Sequence, residues 1–155
     1  MAEQQRELAD EDATRALGAQ MAGALDDGLV VYLRGELGAG KTSFARAFIQ
    51  ARGGDETVPS PTFTLVETYD LPGGPIWHFD LYRLRAPEEA WELGIEEAFH
   101  AGISLIEWPE RLESLLPSRH LLIAIGLVAD PCARRASLSG DGEWTARLAG
   151  IAAEA

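Results

Sequence analysis

Of the 13 basic residues in this chain only one is a lysine, and Lys41 stands inside Gly35-Glu36-Leu37-Gly38-Ala39-Gly40-Lys41-Thr42, a complete match to G-x-x-x-x-G-K-[ST]. Arginine replaces lysine well on a surface. It does not do so between the β- and γ-phosphates of a nucleotide, where a compact ammonium fits and a planar guanidinium is too wide. Glycines let successive backbone N–H groups turn inward as an anion nest, and a helix beginning at the end of the loop adds its positive end. Thr42 brings a hydroxyl suited to Mg²⁺, and Ser43 carries the loop into the helix. The pattern points to binding of nucleotide phosphates.

Hydrolysis or transfer at such a loop needs an acid to hold the cation, directly or through water, and a group to orient the attacking nucleophile. Two apolar runs end in a carboxylate: Ile103-Ser104-Leu105-Ile106-Glu107 and Ile76-Trp77-His78-Phe79-Asp80. Strand ends are where open α/β sheets bind ligands. Glu107 is the first choice as metal ligand or as a residue behind the ligand, and Asp80 the choice for positioning water or acting as base. Their order is not decided by the residues alone.

Ser60-Pro61-Thr62 lies where nucleotide switches place a hydroxyl that senses phosphate and metal; equally, Pro59 and Pro61 stiffen the start of a strand. His78, inside an apolar run, reads as a packed core residue rather than a base. Trp108 belongs either to the core or to the wall of the nucleotide pocket. Other motifs fail. Gly38-Ala39-Gly40 is followed by Ser43 where a dinucleotide fingerprint needs its third glycine. Asp70-Leu71-Pro72-Gly73 spells D-x-x-G, but its proline and glycine account for it as a hairpin turn.

The elements that must position these residues follow from periodicity. Leu29–Leu33 is a short apolar, β-branched strand before the loop, and Ser43–Ile49 is a helix with Phe44, Phe48 and Ile49 on one face. Asp10–Leu25 reads as an amphipathic helix capped by Asp10, with Leu17, Met21 and Leu25 inward, closed by Asp26-Asp27-Gly28. Thr62–Tyr69 and Ile76–Tyr82 are strands of a hairpin through Asp70–Pro75. Short helices are expected at Pro87–Trp91 and Ile95–His100, strands at Ile103–Glu107, Leu121–Val128 and Arg135–Leu138, and a helical turn at Trp144–Leu148. The expectation is a single α/β domain spanning 1–155, core about 10–150: a P-loop NTPase-type layered fold with a mixed central sheet and an inserted β-hairpin.

The net charge of −12 argues against an open platform for nucleic acid, since backbone affinity comes from neutralising several phosphates at once. The lone Cys132 forms no internal disulfide and no zinc pattern. The first residues are polar and acidic where a signal peptide is basic and then apolar, and no run is long enough to span a bilayer. A cytoplasmic protein without membrane attachment is expected.

GELGAGKT, SPTFTLVETYD, WHFDLYRL, LGIEE and IEWPER, in this order, resemble the TsaE family of small bacterial ATPases, formerly YjeE, from about Asp10 to Gly150. The resemblance implies ATP and Mg²⁺ as cofactors. It implies a role in forming threonylcarbamoyladenosine at position 37 of tRNAs reading codons that begin with A. There, association with TsaB and TsaD would couple hydrolysis to continued turnover, with tRNA met only through the complex. By position it implies Lys41 and Thr42 as phosphate and Mg²⁺ residues, Glu107 as metal-associated acid and Asp80 as an acid of hydrolysis. It also places Thr62 in a switch-like segment, Trp108 near the nucleotide, and Thr14 and Arg134 flanking the adenosine. Glu36 stands where the family more often has Asp, at a position that contributes mainly backbone. Two alternatives remain beside this reading: a small-molecule or nucleoside kinase, with Arg83-Leu84-Arg85 as a lid, or a nucleotide-sensing module with negligible turnover.

Overall fold

The computed structural model describes residues 2–24, 29–54, 65–100, 102–115 and 120–140. Its centre is a seven-stranded mixed sheet: β1 (Ala2–Leu8), β2 (Val30–Arg34), β3 (Val66–Leu71), β4 (Gly74–Asp80), β5 (Ile103–Glu107), β6 (Leu121–Leu127) and β7 (Arg134–Gly140), in the order β1-β7-β6-β2-β5-β4-β3. The inner strands β6, β2, β5 and β4 run parallel to one another. Antiparallel pairs at the two margins, β7 on β6, β1 on β7 and β3 on β4, make the sheet mixed.

Helices cover both faces because the central strands are apolar on both. In β2, Val31 and Leu33 join Leu105 and Ile123 against α1 (Glu11–Ala24) and α2 (Lys41–Ala51), which supply Leu17, Met21, Phe44, Phe48 and Ile49. Val30 and Tyr32 face the other way, with Phe79 and Ile106, against α3 (Glu89–Glu92), α4 (Ile95–His100) and Leu112 of the 3₁₀ segment Pro109–Leu115. Period-two alternation thus builds a three-layer sandwich. The two helices on the first face approach closely at Gly18, where a Cβ would lie 2.5 Å from the Phe44 carbonyl oxygen. Phe44 itself is fully buried there. Phe44→Ala is expected to cost about 3–5 kcal/mol of stability. Urea denaturation would measure it, and a loss under about 1 kcal/mol would mean that the two helices close over the gap.

Most expected elements are present with small shifts. Asp10 does cap α1, its Oδ1 accepting from the Ala13 N–H at 2.9 Å. The hairpin turn is tighter than expected: only Pro72 and Gly73 lie between β3 and β4, and β4 begins at Gly74. Pro75 is tolerated because β5 first pairs with β4 at Ile76. The hairpin is also no appendage, since β4 is a parallel member of the central sheet. β1 was not anticipated. Thr62 and the start of its strand, the Asp26-Asp27-Gly28 stop and the Trp144–Leu148 turn lie outside the described residues.

Candidate functional site

β2 delivers the chain to Gly35, and the loop to Gly40 returns it as the first turn of α2. Gly40, immediately before the helix, has φ 112°, which side-chain-bearing residues rarely adopt. A Cβ there would also meet Thr14 Cγ2 at 3.4 Å. Glycine therefore lets Thr14 of α1 pack beside the turn at the pocket. The helix supplies Lys41 and Thr42 from its first turn, where unpaired N–H groups and the helix dipole favour an anion.

The loop faces a pocket of about 500 Å³. Leu37, Gly38, Ala39, Gly40, Lys41, Thr42 and Ser43 form its floor. Asp80, Tyr82 and Arg83 line it from the end of β4 and just after it, Glu107 and Trp108 from the end of β5, Glu11 and Thr14 from α1, Cys132 from the turn before β7, and Arg134 from its start. Gly35 and Glu36 serve through their backbones: both carbonyl oxygens accept from Lys41 Nζ, that of Glu36 at 3.1 Å. The Glu36 side chain is exposed. An aspartate-to-glutamate exchange at this position is thereby absorbed.

The two acids meet at one level. Parallel pairing sets Asp80 opposite Glu107, so both carboxylates stand at the same end of adjacent strands. Asp80 is 7% exposed and Glu107 2%, beside Lys41 at 5%. The Thr42 hydroxyl lies within hydrogen-bonding distance of both Glu107 oxygens, 2.9 Å from Oε1 and 3.1 Å from Oε2. Asp80 Oδ1 accepts from the Tyr82 N–H at 3.2 Å. Burial pushes the Lys41 ammonium below its usual range, and the charges of Glu107, Asp80 and Glu110 oppose that shift. A lysine desolvated among carboxylates gains from a polyanion more than an exposed one does.

Trp108 follows Glu107 with φ 61°, a left-handed conformation that costs a non-glycine residue about 1–3 kcal/mol. The turn brings its ring over Lys41, with Nζ 4.1 Å from the ring centroid, and sets it against Tyr82 at 4.9 Å between centroids. Trp108 is thus a wall of the pocket as well as a packed side chain. Arg134, one side of the pocket, also braces the loop: Nε donates to the Ala39 carbonyl at 3.1 Å and Nη2 to that of Gly38 at 3.2 Å.

Several contributors were not anticipated, Tyr82 and Cys132 of the lining among them. Glu11 Oε1 accepts from the Ser43 hydroxyl at 3.1 Å, joining α1 to the loop. Arg83, considered only as part of a lid, stands on the pocket wall three residues after Asp80. His78 is fully buried, as expected of a core residue, yet its Nε2 lies 2.7 Å from Glu107 Oε2. The signal for His78 was its place two residues before Asp80 on the same strand face. No group of three or more His, Cys, Asp and Glu side chains converges among the described residues. A cation at this site would rely on Thr42 together with oxygens of a bound phosphate, as P-loops do.

This fold, with its glycine loop between β2 and α2 and its acids on neighbouring parallel strands, places the chain in the P-loop class of α/β proteins. Comparison with known proteins narrows the class. The family described as threonylcarbamoyl adenosine biosynthesis protein TsaE matches residues 8–135, and the chain belongs to the TsaE family. Relatives named tRNA threonylcarbamoyladenosine biosynthesis protein TsaE include those of Rickettsia bellii, 42% identical over 79% of this chain and 86% of the relative, and of Bacillus subtilis, 38% identical over 77% and 75%. The Haemophilus influenzae relative is 47% identical over 66% of this chain and 65% of its own length. The crystal structure of Bacillus subtilis YdiB superposes with a TM-score of 0.81 at 28% identity, covering 99% of this chain and 96% of that one.

Proposed function

We propose that this chain is a Mg²⁺-dependent ATP hydrolase that serves threonylcarbamoyladenosine formation on tRNA as an accessory to TsaB and TsaD. The observation that carries the reading is the Thr42 hydroxyl held by Glu107 at 2.9 Å beside Lys41, at the N-terminus of α2 and opposite a second acid, Asp80. Membership of the TsaE family supports the tRNA pathway. The cytoplasm, where ATP and tRNA meet, is the compartment this reading requires; among the described residues no helix is long and apolar enough to cross a membrane.

Each residue of the pocket then has a task. The loop N–H groups and Lys41 hold the β- and γ-phosphates. Glu107 takes the Thr42 proton in a hydrogen bond, which leaves the hydroxyl lone pairs for Mg²⁺. Bound there, Mg²⁺ would offset charge on the phosphate oxygens as the terminal bond breaks. Asp80 orients water for attack on the γ-phosphorus. Trp108 and Tyr82 wall the site against bulk water, and Arg83 brings a further cation to the wall on which the γ-phosphate would lie.

The distribution of charge sets the route to tRNA. A net charge of −12 disfavours neutralising a nucleic-acid backbone, so contact with tRNA comes through TsaB and TsaD. Slow phosphate release is expected from the chain alone and faster release with both partners present, while filter binding detects no tRNA complex at physiological salt. Phosphate transferred to a small acceptor would favour a kinase instead. Tight, salt-sensitive tRNA binding by the isolated chain, or rapid hydrolysis indifferent to the partners, would remove the accessory role.

A further inference from the structure

Along β4, Ile76, His78 and Asp80 point to the face covered by α1 and α2, while Trp77 and Phe79 stack on the opposite side. His78 lies opposite Leu105 in the parallel register, two residues behind the level at which Asp80 meets Glu107. From there its Nε2 reaches Glu107 Oε2 at 2.7 Å, the two side chains 0% and 3% exposed. The same oxygen lies 3.1 Å from the Thr42 hydroxyl, and Oε1 lies 2.9 Å from it.

A carboxylate only accepts, so the ring nitrogen facing it must carry the hydrogen. Nδ1, on the far side of the ring, is buried and has no hydrogen-bond partner among the described residues. An N–H at Nδ1 would be a buried donor with no acceptor, whereas a bare lone pair there costs less. The two sides of the ring therefore agree on one tautomer, protonated at Nε2 and bare at Nδ1. A core histidine kept only for packing would have no reason to aim its donor at the acid of the site.

We propose that His78 is the positioning residue of the Thr42–Glu107 pair: it holds the Glu107 carboxylate in the one orientation that accepts the Thr42 proton and leaves the hydroxyl lone pairs for a divalent cation. A glutamate has three rotatable side-chain bonds, and Thr42 alone constrains it from one side. Without His78, the carboxylate is free to turn toward Lys41, whose charge it already feels. The cation site then loses its aligned oxygen. This inference rests on the proposed Mg²⁺–ATP reading of the pocket, and its test is arranged to separate the two.

The first arm uses the native chain without nucleotide, labelled with ¹⁵N in its histidines. Long-range proton–nitrogen spectra are expected to show Nε2 protonated and Nδ1 bare in His78, with the Nε2–H signal displaced in Glu107→Gln. A proton on Nδ1, or a signal indifferent to Glu107→Gln, overturns the proposal whatever the chain does with ATP. The second arm compares His78→Gln, whose amide nitrogen reaches the place of Nε2, with His78→Asn, whose amide nitrogen falls at the place of Nδ1. Outer-shell partners of metal sites are typically worth about 10–100-fold in metal affinity or activity. His78→Asn is expected at the low end, with half-saturating Mg²⁺ raised about tenfold and kcat lowered to match, while KM for ATP stays within about threefold. His78→Gln is expected within about threefold of the native chain on every measure. Equal behaviour of the two variants, or an Mg²⁺ requirement unmoved in His78→Asn, reduces His78 to packing. If the native chain binds Mg²⁺ and ATP but releases no phosphate, the hydrolase reading fails, while the spectra and the Mg²⁺ titration still judge His78.

Discussion

Alanine at Glu107 or Asp80 is expected to leave ATP bound and to lower phosphate release about a hundredfold or more, the usual range for losing a group that acts as charge develops in the transition state. Both carboxylates are nearly buried at the same level of adjacent strands, yet they act on different partners. Glu107 accepts from Thr42 and, at Oε2, from His78, so its loss releases the hydroxyl that would face the cation. Asp80 accepts from the Tyr82 N–H at 3.2 Å, and under the proposed reading its loss would be felt by the attacking water. Titration with Mg²⁺ distinguishes them: the requirement for the cation rises in Glu107→Ala and stays near the native value in Asp80→Ala. Calorimetry with a non-hydrolysable ATP analogue checks that binding survives. Either variant hydrolysing ATP at the native rate would make that acid structural.

Lys41→Ala is expected to weaken ATP by about ten- to hundredfold, because a charge-assisted hydrogen bond in a partly desolvated site contributes on the order of 1.5–3 kcal/mol. The surroundings argue for a loss of that size. The ammonium is 5% exposed by residue, lies over the Trp108 ring at 4.1 Å, and donates to carbonyls of its own loop. Burial already disfavours its charge, and a bound triphosphate is the group that most restores it. Calorimetric titration reads the change directly. An unchanged affinity would remove Lys41 from the phosphate site. The ring of Trp108 serves as an internal reporter, since its fluorescence should differ once the cation above it is gone.

The centre of the sheet was legible from residues 29–49 and 103–107 because apolar strands and a helix with Phe44, Phe48 and Ile49 on one face carry their structure in local pattern. β1 was not. Its sequence, Ala-Glu-Gln-Gln-Arg-Glu-Leu, has little β preference, and among its described side chains only Leu8 is apolar and buried. It is a strand because β7 offers an open edge to pair with, a tertiary cause that no local window contains. The pocket shows the same division. Lys41, Thr42 and the loop glycines are contiguous and could be read as a unit. The bond from His78 to Glu107 joins residues 29 apart and depends on the register of β4 on β5. Arg134 was read as a neighbour of the adenosine; its hold on the carbonyls of Gly38 and Ala39 becomes visible only when β7 is placed beside β6.

The sheet order also dictates a timetable for making the protein. β1 leaves the ribosome well before its partner, since Leu8 pairs with Arg134 and Ala2 with Gly140, far along the chain. At about 5–20 residues per second, β1 waits roughly 6–25 s for its partner. The brace that Arg134 places on the loop arrives at the same late moment. A nascent chain therefore holds its glycine loop and Lys41 well before Arg134 can secure that loop. The weak apolar character of Gln4, Gln5 and Arg6 suits this delay: a strand that must stand exposed and unpaired is safest when it has little to offer a neighbouring chain.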